Sequence, residues 1–160
     1  MQPAERDQDP TTTLVESTEE GPALRDASAA AERAARDEAD AIEARDRYRA
    51  GSLPALEPDE AVAGQLGQGE VLHSVRRSAI LRVPGGDRAH GYGGTLYLTS
   101  RRLVHLGQVM VTVQLTDIVE TSLAGERLLL ALRNGEGLAF DLDRPRLLRA
   151  EMAAATRASR

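Results

Sequence analysis

From Glu70 to Leu142 apolar residues recur close to every second position, the period of a strand whose alternate side chains share a face. "EVLHSVRRSAILRV" predicts a long first strand bent near Arg77–Ser78. The glycine-rich "PGGDRAHGYGG" predicts a loop, and "GGTLYLTSRRLVHLG" (93–107) a hairpin. In that hairpin Leu96 and Leu98 point one way, and Thr95, Tyr97 and Thr99 the other. The return strand, Arg102–Leu106, carries Leu103 and Val104 side by side, so one apolar residue must face each side. Such a strand suits a barrel whose outer face is partly covered. Four further strands follow: "VMVTVQL", "DIVETSL", "ERLLLALR" and "GLAFDL". Asn134-Gly135 between the last two is a hairpin turn signal, with positive φ expected at both residues.

After Leu142 the period changes. Asp143 is expected as an N-cap with Pro145 in the first turn, and Leu148, Met152 and Ala155 then fall at i, i+4 and i+7, flanked by Leu147 and Ala154. These positions predict one amphipathic helix closing the chain. The N-terminal third reads differently. Residues 1–21 mix Pro, Thr and acids with little to bury and are expected to be a disordered acidic tail. Residues 22–50 are Ala-rich, with Glu32→Arg36 and Glu43→Arg47 at helical spacing and Arg45, Arg47 and Arg49 near the end, so a charged helix is expected. Its large apolar residues, Leu24, Ile42 and Tyr48, predict a solvated or loosely docked helix, with a weak coiled-coil face as the alternative. Residues 51–68 read as a linker that Leu53, Leu56, Val62 and Leu66 can pin to the domain. The fold class is therefore mainly β with flanking helices.

Charge sharpens this division. Residues 1–50 hold 13 acids and 7 arginines, residues 51–69 three acids and no base, and residues 70–160 hold 9 acids and 13 arginines. An acidic arm precedes a basic domain, and a plain solubility tail or a mask over the basic face both fit it. All 20 basic residues are arginine, which together with abundant alanine reads as the codon bias of a GC-rich, bacterial genome. Aromatic residues are 2% of the chain, which argues against a base-stacking surface and so against nucleic acid. Without cysteine there is neither a disulfide framework nor a thiolate metal site. No apolar run reaches the roughly 20 residues of a membrane span, and the polar N-terminus is not a signal peptide. A cytoplasmic protein is expected, with a peripheral place at the inner membrane face as the alternative.

Little chemistry stands out. His73, His90 and His105 lack the short spacing of zinc ligands, and Asp117, Asp141 and Asp143 suit turns and caps. No nucleophile–base pattern or carboxylate pair appears, so no enzyme, metal or cofactor is expected. Arg88 and His90 in the loop 85–94 can face an anion, or simply be solvated. Arg101 and Arg102 at the hairpin tip can meet a phosphate, or cover the barrel and pair with acids.

The segments "GEVLHSV", "GGTLYLTSRRLVHLG", "VQLTDIVETS", "LLLALRNGEGLAFDL" and "RLLRAEM" together resemble a GRAM-type, pleckstrin-homology-like domain over roughly residues 69–157. That resemblance implies a bent antiparallel barrel of about seven strands, capped by the C-terminal helix. It implies a non-enzymatic binding or adaptor module engaging a protein partner. The alternative is a peripheral module that holds an anionic lipid headgroup with Arg76, Arg82, Arg88, His90 and Arg102, near the first hairpin loop. General electrostatics are too weak for the latter. Near an anionic surface each cation contributes about 1 kcal/mol, so a net of four gives roughly millimolar affinity.

Overall fold

The computed structural model describes the backbone of residues 9–82 and 88–159, and the side chains of residues 23–81 and 91–159. Two compact units, Met1–Ala35 and Arg36–Arg160, divide within the first helix and are described separately. Helix α1 is Asp9–Ala50, where residues 22–50 were expected. Before Arg36 none of its described side chains is buried, and Leu24 is 66% exposed.

Among the described residues of the second unit seven strands follow: β1 (Leu72–Arg82), β2 (Arg88–Thr99), β3 (Arg102–Gly107), β4 (Val111–Gln114), β5 (Ile118–Ala124), β6 (Arg127–Leu132) and β7 (Gly137–Leu142). Helix α2 (Glu60–Ala63) precedes them and α3 (Pro145–Ala158) closes the unit. The strands form one antiparallel sheet in the order β4-β3-β2-β1-β7-β6-β5. Long β1 joins its two halves. It pairs with β2 from Leu72 onward and with β7 only from Ser78, close to the expected bend, with irregularities at Leu72/Ser74 and Ile80/Arg82.

The seven strands and closing helix are as expected, but the sheet is not a closed barrel. Among the described residues β4 and β5 remain its two edges. The reason is local. After four residues β4 runs into a 3-10 turn, Leu115–Asp117, which buries Leu115 and carries the chain away to the opposite edge.

Core packing follows the alternation. Ile80, Leu96, Leu98, Leu103, Leu128, Leu130, Leu138 and Phe140 fill the concave side, with Leu148, Met152 and Ala155 of α3 laid on them at the expected helical spacing. Val104 faces the other way, and with Leu72 and Tyr97 it is covered by Val62 of α2. The doubled Leu103-Val104 thus has one residue in each apolar cluster. Within residues 51–68, Leu53 enters the main core and Val62 and Leu66 the outer cluster. Leu56 keeps an exposed side chain but donates its N–H to the Leu72 carbonyl at 2.7 Å.

Three local expectations change. The glycine-rich loop is shorter than residues 85–94, because Arg88 already pairs with Arg82 and Gly93 and Gly94 lie in the ladder opposite Ala79 and Ser78. A Cβ on Gly94 would come within 2.5 Å of the Leu106 carbonyl and 2.8 Å of the His105 ring, so the strands approach closely only because it is glycine. In the β6–β7 turn Gly135 alone has positive φ, at +90°. Asn134 instead accepts the Glu136 N–H with its side chain at 3.0 Å. Finally, Asp143 does not cap α3. Arg144 occupies the N-cap position in a left-handed conformation (φ 54°) with no capping side chain. The cap comes from α1: Asp37 accepts the N–H groups of Arg146 (2.8 Å) and Leu147 (3.0 Å) with its two oxygens. Ala41 and Ala44 pack on Ala150 beside it, so this part of α1 is docked through small residues rather than solvated.

Candidate functional site

Of the five side chains set aside for an anion, two are described, and both meet a carboxylate of the same chain. Arg76 lies on the concave face of β1 and reaches Glu151 of α3, at 2.7 Å from Nη2 and 3.2 Å from Nη1. Its Nη1 also donates to Ser74 Oγ at 3.0 Å. The two charged side chains are 8% and 10% exposed, so water is excluded from the pair. Burial lowers the Arg76 pKa against the pull of Glu151, and burial raises that of Glu151 against the pull of Arg76. Such a pair joins sheet to helix, and removing one partner alone costs about 3–5 kcal/mol.

Arg102 closes the other end of β1. Its Nε and Nη2 donate to the two oxygens of Glu70 at 2.9 and 3.0 Å, and Nη2 also meets the Gln65 carbonyl. Glu70 additionally accepts the Gly67 N–H at 2.8 Å and the Thr99 hydroxyl at 2.5 Å. Burial would raise its pKa, but the bonds from Arg102, Gly67 and Thr99 outweigh it and hold the carboxyl down at about 2. Arg101 beside it donates to the Gln68 carbonyl at 3.0 Å. This cluster ties residues 65–70 to the hairpin tip.

Arg82 and Arg88 are register partners at the far end of β1 and β2, while the side chains of Arg82, Arg88 and His90 lie outside the described residues. His73 Nδ1 is 2.8 Å from the Pro54 carbonyl. His105 is fully buried beside Phe140, with Nδ1 3.2 Å from the Val109 carbonyl, and burial lowers its pKa. Among the described residues no three His, Cys, Asp or Glu side chains converge to hold a metal ion. No helix of those residues is long and apolar enough to cross a membrane.

A different surface is open. Between β5 and α3 runs a groove of about 410 Å³. Edge strand β5 supplies one wall with Val119, Glu120 and Thr121, and α3 the other with Arg149, Ala153 and Arg157. Met152 and Leu115, both buried in the core, form its apolar floor. Arg149 Nε donates to Thr121 Oγ1 at 3.0 Å, which spans the groove, and Val119 is 58% exposed. The arrangement offers unpaired strand backbone, an apolar floor and two exposed guanidinium groups against one carboxylate, a combination suited to holding a chain in extended form.

Two solved structures are similar to part of this chain. One is titled the Vps36 N-terminal PH domain, 17% identical, covering 59% of this chain and 85% of that one with a TM-score of 0.47. Another is the C-terminal domain of an unknown protein from Leishmania infantum, 15% identical, covering 56% and 87% with a TM-score of 0.45. No family model matches the chain, and no curated protein does.

The groove escaped the candidate residues because β5 carries no distinctive motif. Its α3 wall was visible on a helical wheel: Arg149, Ala153 and Arg157 recur at i, i+4 and i+8, one position beyond Leu148 and Met152. The acids that hold Arg76 and Arg102 lie 75 and 32 residues away in sequence, beyond any local signal.

Proposed function

We propose that this chain is a non-enzymatic binding module of pleckstrin-homology-like build whose ligand is a protein. The observation that carries the reading is the internal use of its charged side chains. A lipid headgroup needs free, converging cations, whereas Arg76 and Arg102 already serve Glu151 and Glu70. Meanwhile two strand edges stay unpaired among the described residues, which a protein partner can use and a headgroup cannot. As an adaptor in a bacterial cytoplasm the module needs no cofactor.

The second reading, an anionic lipid headgroup held at the inner membrane face, rests on Arg82 and Arg88 as register partners at one end of the sheet. One experiment separates the two. The full chain is cross-linked in cytosolic and membrane fractions of its own cells, and in parallel floated with phosphatidylserine vesicles. A single protein cross-linked at near-equal amount, with no flotation, is expected. Flotation that disappears in the double variant Arg82→Ala/Arg88→Ala, with no protein cross-linked, would overturn the protein reading.

A further inference from the structure

At the seam where α1 and α3 both end lies a cavity of about 340 Å³ that the protein-binding reading does not use. We propose that it binds a small soluble amphiphile, a single anionic head (carboxylate or phosphate) on an apolar body. The proposal stands independently of that reading.

Three segments line the cavity: Tyr48 and Arg49 in the last turn of α1, Ser52 and Leu53 just after it, and Ala154 and Arg157 towards the end of α3. Its inner wall is apolar. Leu53 (9% exposed) and Ala154 (7% exposed) belong to the main core, and half-buried Tyr48 packs against that core. Its rim is polar and carries one sign of charge, because Arg49, Ser52 and Arg157 are exposed and no acid is among the lining residues.

The donors on that rim are available. Among the described residues the side chains of Tyr48, Ser52 and Arg157 make no hydrogen bond or ion pair. Arg49 has only Asp46, at 3.6 Å, with the two side chains 78% and 70% exposed, and such a pair is weak. Arginine near a helix C-terminus also offsets the negative end of the helix dipole. That interaction takes up no N–H group, so the guanidinium donors remain free for a ligand. It accounts neither for the two unbonded hydroxyls nor for the core-lined recess they share with the arginines. The volume lies at the lower end of small-molecule sites and far from the broad surface a protein needs. A bare anion would leave the apolar wall unused, and a neutral hydrocarbon would leave the donors unused. Only a ligand with both parts uses the whole recess. Once bound, it touches α1, the segment after it and α3 together, and so ties the end of α1 to the domain.

The test titrates the isotope-labelled full chain with octanoate, octyl phosphate, neutral octanamide and inorganic phosphate, below micelle-forming concentrations. The better of the two anionic amphiphiles is expected to shift the amides of Ser52, Leu53, Ala154 and Arg157. It should bind about tenfold more tightly than octanamide, and its head names the ligand class. The double variant Arg49→Gln/Arg157→Gln, both exposed positions, should lose that preference while keeping the wild-type fold. Ala154→Leu, which fills the recess, should abolish binding. Absence of binding, equal binding of octanamide, or a preference that survives the loss of both arginines would overturn the proposal. So would the same shifts with inorganic phosphate alone, or shifts confined to β5 and Arg149.

Discussion

Replacing Glu70 by Gln should destabilise the folded chain at neutral pH and spare it in acid. The carboxylate is 2% exposed and receives bonds from Arg102, Gly67 and Thr99. Burial disfavours its charge, yet these donors hold its pKa at about 2, against an ordinary value of 4.5. A pKa lower in the folded than the unfolded state means that unfolding takes up a proton. The resulting stability is complete above pH 4.5 and is lost as pH falls towards 2. The difference corresponds to about 3 kcal/mol. Urea unfolding of wild type and Glu70→Gln, followed by circular dichroism from pH 7 to pH 2.5, measures it. The gap between the two proteins should be about 3 kcal/mol at pH 7 and close most of the way by pH 2.5. A gap that is equally wide at both ends would refute the argument, since it would show the loss to be one of shape rather than of the carboxylate's charge.

Other outcomes follow from the same geometry. Asp37→Ala removes both acceptors from the first turn of α3 and should cost about 1–2 kcal/mol, with faster amide exchange at Arg146 and Leu147. Asp143→Ala should leave that exchange unchanged. Gly94→Ala forces a methyl to within 2.5 Å of the Leu106 carbonyl and should cost about 3 kcal/mol or more in chemical denaturation. For His105, burial lowers the folded pKa below 6.5, so the unfolded state takes up a proton first and stability falls as pH drops from 7 to 5. His105→Phe should flatten that part of the pH–stability curve.

Periodicity carried the reading of the chain where the relevant contacts are short in sequence. The "LYLTSRRL" hairpin, the strands after it and the α3 stripe Leu148–Met152–Ala155 all follow from alternation or helical spacing, which act within a few residues. The adjacent Leu103 and Val104 even announced a second covered face, although not that Val62 would cover it. What stayed hidden depends on residues far apart in the chain. Asp143 looked like a cap because it precedes Pro145, yet the cap is Asp37, 109 residues before Arg146. Pairing of Arg102 with an acid was among the readings, but neither Glu70 nor, for Arg76, Glu151 could be named, because both acids lie far away in sequence. The open sheet was equally illegible, since a four-residue strand ending in a 3-10 turn differs from a closing strand only in where the chain goes next.

The most direct test of the central claim, a protein ligand at an unpaired sheet edge, is photo-cross-linking from a single site. A photoreactive phenylalanine analogue replaces Val119, which is 58% exposed on β5, and in a separate protein Val75, 43% exposed on β1. Both full-length proteins are irradiated in their own cells. The account predicts a discrete protein adduct from position 119 that is absent from position 75. Lipid adducts alone, or the same protein adduct from both positions, would contradict it.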